Sequence, residues 1–174
     1  MNITKEHKKK YAGEKGYNDK ECRDAFKRFI KEDETLNTFV YDYMKLKSGK
    51  QYKIIDDPLG KKSVDLGIVD MTSGLLVGLV EVDYFNSWGK LFPSYYQYCH
   101  RLQRKEKYYK GNNYPYINIT WNTLYTAGII STRELEQEYE PKYKYFKIKG
   151  HYDLVREIPL NKAFTFGKFV REVT

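Results

Sequence analysis

A long apolar segment, residues 75–84, follows an alternating segment, residues 63–70, after a connection of four residues, Met-Thr-Ser-Gly. In the alternating segment, Val64, Leu66 and Ile68 recur at every second position, which is typical of a β-strand with one buried face. Parallel strands need a crossover of about a dozen residues or more, so this short connection indicates antiparallel strands. The sequence therefore predicts a β-hairpin over residues 63–84, and the rest of the chain must pack around it.

Segments of helical and extended character surround the predicted hairpin. Before the hairpin, the sequence predicts a helix from Asn18 or Asp19 to about residue 32, a helix over 34–47 and a strand over 52–55. After the hairpin, it predicts a helix from Pro93 or Ser94 to about Lys110 and a strand over 116–121. Residues 123–174 follow as a β-rich extension, with a strand over 127–131 and a short helix from Thr132. This mixture predicts an α/β fold in which a mixed central sheet is flanked by helices.

The chain length and its polar first segment define the expected domain organisation. A chain of 174 residues fits one domain. Residues 1–18 contain three consecutive lysines and two glycines, so we interpret them as a basic, mobile arm. Residues 19–174 then form a single domain, with its core over residues 19–122. The longest apolar run, residues 75–80, is far too short to cross a membrane, and the polar first segment does not resemble a secretory leader.

The composition favours a polyanionic partner. The 31 Lys and Arg residues exceed the 23 Asp and Glu residues and give a net charge of +8, although a surface selected for solubility gives the same balance. The chain has 18 tyrosines, and aromatic residues interleaved with lysine can stack on nucleic-acid bases, but they more often pack in cores. Cys22 and Cys99 lack the spacing of a disulfide framework or a metal site, which predicts a reducing, cytoplasmic environment.

Three acidic residues fall close together in the predicted hairpin. Strand alternation over residues 75–84 places four side chains on one face, namely Val77, Leu79, Glu81 and Asp83. Pairing across the 71–74 turn brings Asp65 opposite residues 79–81. Oxygen ligands clustered in this way suit Mg²⁺ or Mn²⁺, so we predict Asp65, Glu81 and Asp83 as metal ligands. The alternative is a strand end whose acids are in water, but acids on an apolar strand are costly to bury unless they are paired.

The order of elements and the two acidic segments resemble the PD-(D/E)xK nuclease superfamily. Ser63-Val64-Asp65-Leu66-Gly67 is similar to the first acidic element of that family, and Glu81-Val82-Asp83 is similar to the second. The resemblance covers residues 19–122 and implies an αβββαβ core of the restriction-endonuclease-like type. The segment from Glu81 to Lys105 is also similar to small nuclease-like proteins encoded by phages.

One position departs from the usual motif of that family. The family usually has a lysine two residues after the glutamate, where this chain has Asp83. Some members have an acid there, and others take the lysine from the following helix, where this chain offers Arg104 and Lys105. The resemblance therefore implies Lys105 or Arg104 as the cation that stabilises the transition state. We predict that Arg101, Arg104 and Lys107, on the same predicted helix, contact nucleic acid.

The activity that the resemblance implies is hydrolysis of DNA phosphodiester bonds by an endonuclease that needs Mg²⁺ or Mn²⁺. Its catalytic residues would be Asp65, Glu81, Asp83 and Lys105. The expected partner is DNA, with RNA as the second choice and a homodimer as the protein partner, and a phage protein would act in the host cytoplasm. Two alternatives stay open, namely a non-catalytic nucleic-acid-binding protein on a nuclease-like fold and a protein-interaction factor.

Overall fold

The computed structural model describes the backbone of residues 5–147 and 150–169, and the side chains of residues 19–147 and 150–169. Two helices begin the fold, α1 (Lys5–Glu32) and α2 (Glu34–Met44). Asp33 separates them, and its side chain accepts a 2.8 Å hydrogen bond from Leu36 N, which caps α2.

The first helix begins earlier than the sequence predicts. Its helical backbone runs from Lys5, so the predicted start at Asn18 or Asp19 is wrong. The reason is composition, because Lys, Glu and Ala are good helix formers and outweigh the two glycines of this segment. The side chains of the predicted arm over residues 1–18, and all of residues 1–4, lie outside the described residues.

Nine strands follow within the described residues, namely β1 (Tyr52–Asp56), β2 (Leu66–Asp70), β3 (Leu76–Tyr84), β4 (Tyr98–Leu102), β5 (Tyr116–Trp121), β6 (Ala127–Thr132), β7 (Lys142–Phe146), β8 (His151–Pro159) and β9 (Phe164–Gly167). Six of them form a sheet in the order β1-β2-β3-β5-β6-β9, and three form a second sheet in the order β4-β8-β7. In the larger sheet β3 and β5 are parallel, and the other neighbours are antiparallel. The fold is therefore α/β with a mixed sheet and a β-rich extension, as predicted.

The predicted hairpin is present as β2 and β3. Leu66 pairs with Val80, which continues the register that places Asp65 beside Glu81. The register shifts after Ile68, because β3 has one extra residue there. As a result Val77 packs against the helices, whereas Leu79 packs on the opposite side of the sheet, so the prediction that the two share a face is wrong.

The two helices cover one face of the large sheet. Their buried apolar side chains pack on alternate strand residues, and the cluster includes Phe26, Leu36, Val40, Val80, Val82, Ile117, Ile119 and Ile130. Gly78 permits close contact with α2, since a Cβ at this position would collide with the Met44 sulfur. Among the described residues, no helix has both the length and the apolar character needed to cross a membrane.

The other face of the large sheet is covered by the chain between β3 and β5 and by the smaller sheet. The helix predicted over residues 93–110 is wrong, because this segment forms β4, a 3₁₀ helix (Gln103–Glu106) and the short helix α3 (Lys107–Lys110). β4 pairs with β8, so Cys99 lies beside Ile158 and Arg101 lies beside Arg156. This long-range pairing outweighs the local helical spacing. The short helix predicted from Thr132 is confirmed as α4 (Arg133–Gln137).

Candidate functional site

The candidate site lies where β2 begins and β3 approaches its end. The backbone N–H of Asp65 donates a 3.2 Å hydrogen bond to Glu81 Oε2, and the N–H of Val82 donates a 3.0 Å hydrogen bond to Asp65 Oδ2. Asp65 is 9% exposed and Glu81 is 4% exposed. The structure thus brings the two predicted carboxylates together in a buried position, each bonded to the strand that bears the other.

Lys105 completes this arrangement from the 3₁₀ helix. Its Nζ lies 2.8 Å from Glu81 Oε1 and 2.8 Å from Asp83 Oδ2. Glu81 and Asp83 share a face of β3, so one ammonium group reaches both of them. The predicted residues Asp65, Glu81, Asp83 and Lys105 therefore lie in one cluster, although Lys105 is not on the helix that the sequence predicted.

Arg23 of α1 is a member of the site that the sequence did not reveal. Its Nη2 lies 3.0 Å from Asp65 Oδ1, and its Nη1 donates a 3.0 Å hydrogen bond to the backbone oxygen of Asp65. The same guanidinium lies 3.1 Å from Asp57 and 3.4 Å from Asp56. Arg23 thus holds the segment before β2 and orients the Asp65 carboxylate. The sequence signal for this role is weak, since the partners are more than thirty positions away.

Burial and charge change the protonation of these groups. Burial raises the pKa of Glu81 to about 8; Lys105 opposes this shift, and the carboxylates of Asp65 and Asp83 add to it. Burial also raises the pKa of Asp65, although the Val82 N–H opposes it. Burial alone would lower the pKa of Lys105, but Asp83 and Glu81 raise it above its usual range, so Lys105 is a cation. When ionised, the three carboxylates of the site outnumber the cations of Lys105 and Arg23, and the raised pKa values of Glu81 and Asp65 mean that these groups hold protons that a bound cation would displace.

The oxygen atoms of the site suit a hard divalent cation. The oxygens of Asp65 and Glu81 contact the Arg23 guanidinium, two backbone N–H groups and the Lys105 ammonium, and the two carboxyl groups also contact each other. Asn118 of β5 is the register partner of Glu81, and its Oδ1 is buried with no hydrogen-bond partner in the described part of the chain. Carboxylate and amide oxygens are ligands that Mg²⁺ accepts. However, residues 19–147 and 150–169 contain no preassembled group of three His, Cys, Asp or Glu side chains that would hold a metal.

The three basic residues predicted to contact nucleic acid lie in different environments. Arg101 is buried, so the prediction that it lies on an exposed helix face is wrong. Its guanidinium donates to Ser131 Oγ at 2.7 Å and to Thr120 Oγ1, and ties β4 to the large sheet. Arg104 and Lys107 are exposed and stay available to a partner.

A buried ion pair holds the 3₁₀ helix that presents Lys105. Glu106 is buried, and its Oε2 lies 3.2 Å from Nη2 of Arg156 on β8. Gln103 donates a 3.1 Å hydrogen bond to the same carboxylate. The backbone next to Lys105 is therefore fixed by the smaller sheet, a contact that sequence reasoning missed because Arg156 lies fifty positions away.

Comparison with known proteins gave no relative for this chain, since no family model, curated protein or solved structure matches it.

Proposed function

We propose that this protein is a nuclease that depends on Mg²⁺ or Mn²⁺ and hydrolyses phosphodiester bonds of DNA. The observation behind the proposal is the contact of Lys105 Nζ with Glu81 Oε1 at 2.8 Å, beside the hydrogen bond of 3.2 Å from Asp65 N to Glu81 Oε2. Three separate segments thus place two buried carboxylates and one cation together. Buried, perturbed carboxylates next to a specific cation are typical of functional sites.

The order of the strands supports the same proposal. Helices α1 and α2 precede three antiparallel strands, β1, β2 and β3, and the crossover after β3 leads to β5, which is parallel to β3. This order matches the αβββαβ core that the resemblance to the PD-(D/E)xK superfamily implies except in the crossover, where β4, the 3₁₀ helix and the four-residue α3 stand in place of its helix. Asp65 lies directly before the second strand, and Glu81 lies in the later part of the third.

Each residue of the site has a distinct proposed role. Asp65 and Glu81, with the amide oxygen of Asn118 beside them, would hold the divalent ion. When bound, that ion supplies polarisation of the phosphate and a lowered pKa of water. Lys105 stabilises negative charge on the phosphate oxygens, and it is pre-oriented for this by its contact with Asp83. Arg23 keeps the Asp65 carboxylate in position. The DNA backbone enters beside Asp83, whose side chain is 44% exposed.

A cleavage assay with one inactivating variant and one matched control tests the proposal. Plasmid and single-stranded DNA are incubated with the wild-type protein in Mg²⁺, Mn²⁺ or EDTA. We expect cleavage only with a divalent ion, and loss of cleavage in Glu81→Gln but not in Glu138→Gln, which changes an exposed acid outside the site. Cleavage that persists in Glu81→Gln would show that another site is responsible.

A non-catalytic nucleic-acid-binding protein is the second candidate. The observation that favours it is the position of Lys105, which neutralises Glu81 and Asp83 at 2.8 Å each, together with the lack of a preassembled metal group in the described residues. Binding of DNA that weakens with added salt, without cleavage in either metal, would identify this function instead.

A further inference from the structure

The hairpin formed by β7 and β8 presents three tyrosine side chains to solvent. Tyr143, Tyr145 and Tyr152 are 77%, 51% and 67% exposed. Tyr145 pairs with Tyr152 across the two strands, and their ring centroids lie 5.1 Å apart with an angle of 57° between the rings. Tyr143 lies two positions before Tyr145, so it shares the same face of β7. A partner that covers this cluster would remove from water the apolar surface that the fold leaves exposed, which favours binding.

Lysines accompany these tyrosines in the sequence. Residues 141–152 contain four lysines, one histidine and no acidic residue. Lys142 and Lys144 alternate with the tyrosines along β7 and so lie on its other face, and Lys147 is exposed where β7 ends. Lys144 is partly neutralised, since its Nζ lies 3.8 Å from Glu157 Oε1. The hairpin therefore presents aromatic rings on one face of β7 and lysines on the other, with Lys147 at the end of the strand, and aromatic rings with positive charge nearby are the features with which proteins bind single-stranded nucleic acid.

The spacing of the strand positions that bear Tyr143 and Tyr145 suits stacked bases. Two residues on a strand that are two positions apart are separated by about 6.8 Å, because a strand rises about 3.4 Å per residue. This distance is twice the separation of about 3.4 Å between successive bases of a nucleic-acid strand. Bases inside a duplex have no free faces for such stacking, so the tyrosines favour a single strand.

An exposed arginine lies between the candidate site and β8. Lys105 contacts Glu81 and Asp83, and the neighbouring residue Arg104 extends in the direction of β8, where its Nη1 lies 3.9 Å from Asp153 Oδ2. Asp153 is next to Tyr152 in the chain. Asp153 shares its face of the hairpin with its register partner Lys144, so Arg104 contacts the face opposite to the tyrosines.

We propose that Tyr143, Tyr145 and Tyr152 bind a single-stranded segment of nucleic acid by stacking on its bases. The inference rests on the proposed function and deepens it, because it names the substrate class of that site as nucleic acid with a single-stranded part. The hydroxyl groups are not required for this role, whereas the rings are.

The test measures binding in EDTA, so that its result does not depend on cleavage. Fluorescence anisotropy is recorded with a labelled oligothymidylate and with a labelled duplex of the same length. The variants are Tyr143→Ala, Tyr145→Ala, Tyr152→Ala, the triple alanine variant and the triple phenylalanine variant. Tyr95→Ala is the matched control, since Tyr95 is 74% exposed but lies outside the hairpin. Circular dichroism and thermal unfolding establish that each variant is folded.

We expect each alanine variant to weaken binding of the oligothymidylate by about fivefold or more, which corresponds to about 1 kcal/mol of base stacking. The phenylalanine variant and the control should bind as the wild type does, and duplex binding should change little. Unchanged affinity of the triple alanine variant would overturn the inference, and so would an equal loss for the duplex. A wild-type dimer that the triple alanine variant converts to a monomer would also overturn it, because the tyrosines would then cover each other.

The outcomes separate this inference from the proposed function. Binding that depends on the tyrosines, in a protein that cleaves no DNA with either metal, supports the inference and contradicts the nuclease. Cleavage that depends on Glu81, with single-strand affinity that is independent of the tyrosines, supports the nuclease and overturns the inference.

Discussion

Two clusters of charged side chains are built into this fold, and they differ in how their charges are balanced. The scaffold cluster consists of Arg101, Glu106, Glu136 and Arg156, and all four side chains are buried. The site cluster consists of Arg23, Asp65, Glu81, Asp83 and Lys105. The scaffold cluster has equal numbers of carboxylates and guanidinium groups, whereas the site cluster has three carboxylates and two cations.

The contacts of the carboxyl groups can be compared between the two clusters. In the scaffold cluster, Glu136 accepts a 2.9 Å hydrogen bond from Ser131 and lies 3.6 Å from Arg101. Arg156 also donates to the backbone oxygen of Glu136 at 3.1 Å. Burial raises the pKa of a carboxyl group in both clusters, to about 8 for Glu81 despite its contact with Lys105 and in the same direction for Glu136 despite Arg101, so the clusters differ in charge count and not in the direction of these shifts. A buried cluster with balanced charge holds a fold together, and a buried cluster with excess negative charge can gain a further cation.

The largest effect is expected in the scaffold cluster. Arg101→Ala should lower the free energy of unfolding by about 3–5 kcal/mol, because it leaves the Glu136 carboxylate buried without its charge partner. Urea denaturation measures the change. Arg104→Ala, an exposed arginine nearby, should change stability by about 0.5 kcal/mol or less. Similar values for the two variants would show that the scaffold cluster contributes little to stability.

In the site cluster, Lys105→Ala should mainly affect the rate of cleavage. Removing a group that stabilises charge in the transition state lowers turnover by about 100-fold or more. Turnover at saturating DNA and the dissociation constant in EDTA are measured separately. If the affinity and its salt dependence fall while turnover is unchanged, Lys105 is a residue that binds phosphate in the ground state.

Mg²⁺ should stabilise the site cluster and leave the scaffold cluster unaffected. At a concentration one hundred times the dissociation constant, a bound ion adds about 2.7 kcal/mol to the stability of the native state. Thermal unfolding with and without Mg²⁺ should show this gain in the wild type. Asp65→Asn should lose it, whereas Glu106→Gln should keep it despite lower basal stability. A wild-type protein that shows no gain at any Mg²⁺ concentration has no such metal site.

The smallest effect concerns pH, and it tests Glu81 of the site cluster without metal. The pKa of Glu81 is raised to about 8 in the folded protein, above its value in the unfolded chain, so the folded state binds more protons between these values. Stability in EDTA should therefore fall as pH rises towards 8, by up to about 1.4 kcal/mol per pH unit. Burial lowers the pKa of His100 to about 4, which gives the opposite slope below about pH 6.5.

The clearest window for this measurement is therefore pH 6.5–8. Urea denaturation across it should give a decline in the wild type that is reduced in Glu81→Gln. The same decline in Glu81→Gln would assign it to another group. Glu106→Gln should retain the slope of the wild type, because neighbouring cations outweigh burial and lower the pKa of Glu106, so it titrates below this window.

The parts of the site that the sequence predicted are those built by local pairing. The short connection after Asp70 makes β2 and β3 antiparallel, so pairing across the turn predicted that Asp65 lies within reach of Glu81. Arg23 was missed because it reaches Asp65 from a helix 42 positions earlier. The face of α1 that bears Arg23 has no sequence pattern that distinguishes it from a helix face exposed to solvent.

Long-range pairing also explains the errors in the fold. The segment 93–110 has helical spacing, but Cys99 and Arg101 are buried in a strand that exists through its pairing with β8. Strand alternation failed at Val77 because a bulge adds one residue to β3. Neither effect is visible in the segment itself, since both depend on a partner strand.

The position of β7 at the end of the smaller sheet affects the solubility of the protein. Within the described sheet, β7 pairs with β8 on one side, so its other edge presents backbone groups that another chain can bind. Such an edge favours the growth of intermolecular sheets, and its aromatic residues strengthen that tendency. Lys142 and Lys144 place positive charge along this strand, and two copies that approach edge to edge would repel each other. The lysines of β7 thus oppose aggregation of the exposed strand.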